Sequence, residues 1–167
     1  MKFISFNRDN IEKFGIIENN LITDLTGKID GASSLKELIK IKKIKDAKEY
    51  AKSNPGSIKP DQIEYSPLIP NPGKIICVGL NYNEHVKETN RTIEENPVIF
   101  HRFPESQTAH MQAIQRPTVS ESLDFEGEMA VIMDEGGKHI KPEDALKHIV
   151  GFSCYNESTI REWQRHT

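Results

Sequence analysis

The sequence lacks the features of an exported, membrane-spanning or zinc-binding protein. Its 167 residues include only two cysteines, Cys77 and Cys154, which form no CxxC pair, so neither a disulfide framework nor a zinc site is indicated. We expect both thiols to be free, reduced and buried, which suits a cytoplasmic protein. No apolar run approaches the ~18 residues that a membrane span needs, and residues 1–8 show no signal-peptide pattern.

A strong excess of either charge is also missing. Lysine and arginine number 22 against 25 aspartates and glutamates, for a net charge of −3, which gives no overall reason to expect nucleic acid or an anionic membrane as a partner. Lysines concentrate in residues 36–52, but acidic residues are interleaved with them and Tyr50 is the only aromatic residue there. We interpret this segment as a solvated helical face rather than a nucleic-acid patch.

Apolar residues make up only 36% of the chain, slightly below the usual globular range, so the chain can fold but has little apolar surplus. Residues 1–66 are predicted to form a small N-terminal α/β domain. Alternating apolar residues, the Asn19-Asn20 turn and the capping-box spacing of Ser34 and Glu37 define its elements. The expected strands cover residues 2–6, 14–17 and 21–25, and the expected helices cover residues 35–41 and 46–52.

Prolines mark the next boundary. Because Pro67, Pro70 and Pro72 interrupt regular structure, residues 67–73 are interpreted as an extended linker before a second segment, residues 74–167. A short apolar run that ends at Gly predicts a buried strand at residues 74–79, and further strands are predicted at residues 98–102 and 150–155. Short helices are predicted at residues 81–89 and 141–149, and a further helix from Thr159. The whole chain is therefore predicted to be α+β.

The acidic stretch at residues 123–133 is the most informative part of the sequence. In an extended segment, Glu126 and Glu128 share one face and lie roughly 7 Å apart. Glu157 follows the strand predicted at residues 150–155. It would lie close to Glu126 and Glu128 if that strand is a neighbour of the acidic stretch. Carboxylate oxygens without His or Cys favour Mg²⁺ or Mn²⁺, with Ca²⁺ less suited. The alternative interpretation is a solvated strand end.

Two further positions carry side chains suited to chemistry. His85 and Glu88 stand at i and i+3 on a predicted helix, where a carboxylate can orient an imidazole as a general base; a surface ion pair is the alternative. Arg102 closes a predicted strand and could bind a substrate carboxylate or form a structural salt bridge. Arg161 and Gln164 share a helical face, and we expect Arg161 to pair structurally with a nearby acid.

These motifs, in this order, resemble those of the fumarylacetoacetate hydrolase family. The resemblance is close over about residues 70–167 and looser over residues 1–65. The matching segments are residues 74–82, His85 with Glu88, residues 100–104 with Ser106, residues 123–128 and residues 151–164.

The resemblance implies a catalytic domain with a mixed β-sandwich roll, dimeric when complete, that binds Mg²⁺ or Mn²⁺. Family members cleave or decarboxylate small 2-oxo or 1,3-dioxo acids, and some isomerise or hydrate them. The corresponding residues here are Glu126, Glu128 and Glu157 as metal ligands, His85 and Glu88 as the dyad that activates water or moves a proton, and Tyr82 and Arg102 as substrate-binding residues.

The chain also departs from the family pattern. Glu157 and Glu162 stand where the family usually has aspartate, and the extra methylene at Glu157 shifts the ligand oxygens by about a bond length against the near-ideal geometry that Mg²⁺ demands. Family members continue well past the position of Gln164, with further strands that complete the pocket. We therefore expect these 167 residues to be the first part of a longer fold.

The resemblance and the residues together predict an enzyme that uses a metal ion to cleave or decarboxylate a small 2-oxo or 1,3-dioxo acid. The cation would chelate the substrate and stabilise the enolate, while His85, poised by Glu88, would handle water or a proton. The alternative is a truncated, non-catalytic relative that binds metal or a partner without turnover. Nucleic-acid binding through the lysine-rich helices is the least supported function.

Overall fold

The N-terminal part of the chain is a four-stranded antiparallel sheet with two helices packed against it. The structure is a computed structural model, and it describes residues 1–88 and 95–164. The strands of the sheet are β1 (Lys2–Arg8), β2 (Ile11–Glu18), β3 (Leu21–Asp24) and β4 (Glu64–Tyr65). They follow the order β3-β2-β1-β4 across the sheet.

Tight hairpin turns hold this sheet in register. Asn19 and Asn20 have φ angles of 51° and 61°, in the left-handed region that asparagine tolerates and that a tight hairpin requires. Asp9 and Asn10 take the same conformation, with φ angles of 56° and 60°, between β1 and β2. The hairpin predicted at Asn19-Asn20 is confirmed.

The two predicted helices are present as α1 (Leu35–Lys40) and α2 (Ile44–Ser53). The Ser34 hydroxyl accepts a hydrogen bond from the Glu37 backbone N–H at 3.2 Å, which satisfies one of the free amides at the start of the helix. The Glu37 carboxylate accepts from the Ser33 N–H at 2.9 Å. The helices and the sheet share a core whose fully buried residues include Phe14, Ile16, Leu25, Leu38 and Ala47.

The proline-rich segment after β4 lies against this core. Leu68 and Ile69 are partly buried on it, and the Ser5 hydroxyl donates to the Leu68 carbonyl at 2.7 Å. Ile132 and Val150 from the second half of the chain pack on the same core. The domain division predicted at residue 66 stays a prediction.

Asp24 provides a test of the electrostatics of this sheet. Burial by itself would raise the pKa of Asp24, but hydrogen bonds from Lys13 and Thr26 outweigh it and hold the pKa below its ordinary value. Because the folded-state pKa is depressed, the stabilisation is present above the unfolded pKa and is lost as the pH falls through the folded pKa. We expect Asp24→Asn to lower the free energy of unfolding by about 1 kcal/mol at pH 7.

The difference between Asp24→Asn and the unmodified chain should shrink as the pH is lowered below about 4, because the carboxyl of the unfolded chain protonates first. It should disappear once the pH is below the depressed pKa of the folded state. Urea unfolding at several pH values measures it, with Asp61→Asn as a matched control at an exposed aspartate. A difference that stays undiminished at low pH would contradict the ion-pair explanation.

The second half of the chain is built from antiparallel strand pairs. In the described residues, β5 pairs with β6, β8 with β9, and β7 with β10. A short helix, α3, follows β5, and a last helix, α4, follows β10. The bounds are Ile75–Gly79 for β5, Asn83–Glu88 for α3, Val98–Arg102 for β6, Leu123–Asp124 for β7, Gly127–Met133 for β8, Ile149–Asn156 for β9, Thr159–Ile160 for β10 and Arg161–Gln164 for α4.

The strand predicted to be buried, at residues 74–79, is less buried than the sequence predicted. Ile76 in this strand, β5, is 61% exposed, and Phe152 in β9 is exposed to the same extent. Both cysteines are free, as expected, but Cys77 is only partly buried and Cys154 is exposed. The prediction that both thiols are buried is therefore wrong, because a two-stranded ladder has two faces and the apolar side chains on one of them remain open to solvent here.

Two predicted helices also differ from the structure. The helix expected at residues 141–149 is a 3₁₀ helix, Pro142–His148. The helix expected from Thr159 begins at Arg161 instead, since Thr159 and Ile160 form β10 and pair with β7. Both residues are β-branched and suit a strand.

Helices and antiparallel strands together make this a mixed α and β structure, which confirms the predicted class at that level. Of the helices that the structure describes, none has the length and apolar character needed to cross a bilayer.

Candidate active site

The pairing of β8 with β9 brings the three predicted carboxylate ligands into one region. Gly127 lies opposite Asn156 and Glu128 opposite Tyr155. Beyond the end of the ladder, the Glu157 backbone N–H donates to the Glu126 carbonyl at 2.8 Å. The neighbouring strands that the sequence analysis assumed for Glu157 are therefore present.

The acidic stretch is not one continuous strand. It forms β7, breaks at Phe125 and Glu126, and resumes as β8. The Asn156 side-chain oxygen accepts from the Glu126 N–H at 3.1 Å and closes this break. Alternation still separates the side chains: Glu126 and Glu128 are partly buried, whereas Phe125 is 72% and Met129 is 60% exposed. The carboxylates, not the apolar residues, take the more enclosed face, which argues against a solvated strand end.

Arg161, the first residue of α4, occupies one end of this carboxylate cluster. Its Nη2 donates to Asp124 Oδ2 at 2.7 Å and to Glu126 Oε1 at 2.6 Å. Its Nε also reaches Asp124 Oδ2, at 3.0 Å, and its Nη1 donates to the Gln164 side chain at 2.9 Å. The prediction that Arg161 pairs with a nearby acid is confirmed.

Arg102, at the end of β6, binds the third carboxylate. Its guanidinium forms an ion pair and a hydrogen bond with Glu157 and donates from Nη2 to the Ser158 carbonyl at 2.9 Å. The pair is enclosed, with side-chain exposures of 26% for Arg102 and 9% for Glu157. The structural salt bridge left open by the sequence is therefore the arrangement present, and substrate binding by Arg102 stays a prediction.

Burial and neighbouring charge both act on Glu157. Burial raises the pKa of its carboxyl above the ordinary value, Arg102 offsets part of the rise, and the negative charges of Glu126 and Glu128 add to it. The charges of Glu126 and Glu128 are thus close enough to act on Glu157, and an additional cation would relieve that repulsion.

A cavity of about 320 Å³ opens beside the cluster and brings in residues from α3 and the loop before it. Tyr82 hydrogen-bonds Glu128, and the Glu128 charge together with that bond raises the pKa of the Tyr82 hydroxyl. Glu88 reaches the cavity from the end of α3. The described lining is Tyr82, Glu88, Asp124, Phe125, Glu126, Gly127, Glu128 and Arg161.

The other member of the predicted dyad, His85, belongs to α3 together with Glu88. The side chain of His85 lies outside the described part of the structure. The helix confirms the i, i+3 relation on which the prediction depends, and Glu88 confirms that this helix faces the cavity. The role of His85 stays a prediction.

The donor set fits a hard divalent cation in kind, because Glu126, Glu128 and Glu157 supply only carboxylate oxygens. Four carboxylates and one guanidinium are found among the described lining residues, an excess of negative charge. As placed, however, Glu126 is turned to Arg161 and Glu157 to Arg102. Within residues 1–88 and 95–164, no three His, Cys, Asp or Glu side chains form a group that could hold a metal ion, so the metal assignment stays a prediction.

One contact near the site was missed by the sequence analysis. Ser120, which is 5% exposed, donates its hydroxyl to the carboxylate of Glu162 and accepts from the Ser122 N–H at 3.0 Å. Glu162 is one of the positions where the chain departs from the family pattern. Only the tertiary fold brings it to a buried hydroxyl 42 residues away.

The site and the fold together define a family. The model of the fumarylacetoacetate (FAA) hydrolase C-terminal domain matches residues 74–167, more than half of the chain. The chain belongs to the fumarylacetoacetate hydrolase family.

Among curated proteins, the chain is similar to oxaloacetate tautomerases. It is 36% identical over 121 residues to the mitochondrial enzyme of Xenopus laevis, which covers 72% of this chain and 38% of that protein. It is 35% identical over 103 residues to a mitochondrial oxaloacetate tautomerase of Homo sapiens, covering 62% of this chain and 33% of that protein. The chain thus spans between a third and two fifths of the length of these relatives.

Solved structures extend the likeness to nearly the whole chain. The fumarylacetoacetate hydrolase of the psychrophile Exiguobacterium antarcticum superposes with a TM-score of 0.80 at 29% identity, over 99% of this chain and 58% of that one. The maleylpyruvate hydrolase of Sphingobium sp. SYK-6, in complex with manganese(II) and pyruvate, superposes with a TM-score of 0.78 at 20% identity. The superposition covers 96% of this chain and 60% of that one. The second likeness shows the fold alone.

Proposed function

We propose that this chain binds a divalent cation with Glu126, Glu128 and Glu157 and, with it, interconverts the keto and enol forms of a small 2-oxo acid. The observation that carries the proposal is the charge of the cavity, where four carboxylates face one guanidinium. An anionic substrate would be repelled there unless a cation lay between it and the protein. Similarity to oxaloacetate tautomerases supports a small oxo acid as the substrate.

Proton transfer is the step that the remaining residues support. Tautomerisation removes a proton from the carbon next to the carbonyl and places a proton on the carbonyl oxygen, so no water is consumed and no C–C bond breaks. His85, with Glu88 one helical turn away, is the proposed acid–base pair. Tyr82 borders the same cavity and is held by Glu128, where its hydroxyl can contact a bound oxo acid.

A bound divalent cation would supply Lewis-acid stabilisation for the negative charge that an enolate carries. Arg102 would hold the Glu157 carboxylate in place through their ion pair. Magnesium and manganese suit the oxygen donors equally in kind, and the manganese(II) in the maleylpyruvate hydrolase of the same fold supports the use of a divalent metal.

Cleavage or decarboxylation of the oxo acid, as predicted from the sequence, would also form an enolate, that of the shortened product, and stays a prediction. The dimer and the cytoplasmic location expected from the sequence also stay predictions. A second candidate function is metal or partner binding without turnover, which is favoured by the two arginines that occupy Glu126 and Glu157.

The test is metal-dependent enolisation by the purified 167-residue chain. We expect it to speed the conversion of enol to keto oxaloacetate, followed by ultraviolet absorbance, when Mn²⁺ or Mg²⁺ is present. EDTA should remove the activity and excess Mn²⁺ should restore it, since the bound cation is the Lewis acid and the carboxylates cannot act as one.

Acylpyruvates assayed in parallel report C–C cleavage, and free pyruvate reports decarboxylation of oxaloacetate. Tight Mn²⁺ binding with no effect on any of these reactions would favour the non-catalytic candidate. Activity that persists unchanged in EDTA would contradict a metal-dependent mechanism.

A further inference from the structure

Arg161 places a positive charge inside the carboxylate cluster before any metal enters it. We infer that Arg161 is a built-in counter-cation that competes with the divalent cation for Glu126 and thereby sets the metal affinity of the site. This inference rests on the metal site in the proposed function, but it concerns a residue that the proposed chemistry does not use directly.

The contacts of Arg161 show that Glu126 is shared. The Nη2 group lies 2.6 Å from Glu126 Oε1 and 2.7 Å from Asp124 Oδ2, so one nitrogen serves both carboxylates. The side chain of Arg161 is 19% exposed and that of Glu126 is 16% exposed. At this burial a charge-assisted hydrogen bond is only weakly screened by solvent.

Arg161 makes more hydrogen bonds to Asp124 and Gln164 than to Glu126, so it can release Glu126 to a metal ion and keep its other partners. Arg161 holds Asp124 through both Nε and Nη2 and holds Gln164 through Nη1, whereas a single nitrogen reaches Glu126. If Glu126 turned away, the guanidinium would keep Asp124 and Gln164 as partners. Release of Glu126 therefore leaves Arg161 neither unpaired nor free to swing out of the cluster.

A divalent cation on Glu126 would meet two obstacles from Arg161. The guanidinium N–H occupies Oε1, one of the two Glu126 oxygens that a cation could bind, and its positive charge would repel the cation at close range. Removing the guanidinium removes both obstacles and leaves Asp124, Glu126, Glu128 and Glu157 with less compensation. The removal of these obstacles and the larger uncompensated negative charge should both increase the affinity for the metal.

The experiment is a Mn²⁺ titration of the full 167-residue chain, followed by calorimetry and by the electron paramagnetic resonance signal of free Mn²⁺. We expect Arg161→Gln to bind Mn²⁺ about tenfold more tightly than the unmodified chain, since one hydrogen bond to a charged group no longer has to be broken. Arg161→Lys keeps a positive charge but loses the guanidinium fork, and its affinity should fall between the two.

Arg8→Gln is the matched control, because it makes the same chemical change on β1, where Arg8 forms a 3.9 Å ion pair with Asp9. Its Mn²⁺ affinity should equal that of the unmodified chain. The thermal midpoint of each variant without metal shows separately whether the fold has been weakened. A purely structural role for Arg161 predicts a lower midpoint with equal or weaker Mn²⁺ binding, and that result would overturn the inference.

Failure of the proposed function gives a different pattern. If neither the unmodified chain nor any variant binds Mn²⁺, the metal site and the inference are both wrong. If the unmodified chain binds Mn²⁺ and Arg161→Gln binds it no better, the metal site stands and only the competition by Arg161 is refuted. If Arg161→Gln alone binds Mn²⁺, the competition is stronger than we infer and is supported.

Discussion

Replacing Glu126 with glutamine is expected to weaken Mn²⁺ binding by at least about a hundredfold, because loss of a group outside the coordination shell already costs roughly 10- to 100-fold and this change removes a ligand charge. The glutamine is nearly isosteric, and its side-chain oxygen can still accept from Arg161, so the local fold should survive. Metal-dependent turnover should disappear with the bound metal. Calorimetric Mn²⁺ titration and the enolisation assay measure the two effects.

Glu143→Gln provides the control for Glu126→Gln. It makes the same chemical change at an exposed glutamate in the 3₁₀ helix after β8, and both Mn²⁺ affinity and turnover should be unchanged. Equal activity in Glu126→Gln and the unmodified chain would sink the assignment of Glu126 as a metal ligand.

The second large effect is expected at Arg102. Arg102→Gln leaves Glu157, whose side chain is 9% exposed, without its cationic partner. Breaking a buried pair on one side costs about 3–5 kcal/mol, and because Arg102 is itself partly exposed we expect a loss of about 2–3 kcal/mol in the free energy of unfolding. Urea unfolding at pH 7 without divalent cations measures this loss.

A double-mutant cycle separates the ion pair from other roles of Arg102. Adding Glu157→Gln to Arg102→Gln removes the uncompensated charge, so the double variant should recover much of the lost stability. Mn²⁺ should also recover stability in the Arg102→Gln single variant if Glu157 is a ligand, because the metal replaces the missing positive charge. A single variant as stable as the unmodified chain would contradict a stabilising role for the Arg102–Glu157 ion pair.

Local patterns in the sequence were sufficient for the elements of the N-terminal sheet. Asn19-Asn20 predicts a hairpin because both residues tolerate positive φ, and Ser34 predicts the start of α1 because a side-chain oxygen there satisfies a helix amide. Each of these signals acts within a few residues. That is why they could be interpreted without knowledge of the rest of the fold.

Burial in the second half could not be predicted in the same way. Alternation in β5 and β9 shows which side chains share a face, but it does not show which face is covered. Phe152 and Cys154 are apolar residues on a face that the described structure leaves exposed. The strands at residues 74–79 and 150–155 were therefore predicted correctly, whereas the burial predicted for residues 74–79 and for the two cysteines was wrong.

The same distinction holds for the candidate site. The sequence by itself determined that Glu126 and Glu128 share a face, because successive side chains in an extended segment alternate, and that Glu88 lies one turn from His85 on a helix. Only the tertiary structure decided what surrounds the carboxylates. Arg161 reaches Glu126 from 35 residues away because β10 pairs with β7. Arg102 reaches Glu157 from 55 residues away although their strands, β6 and β9, do not pair with each other. No local pattern in the sequence specifies either approach.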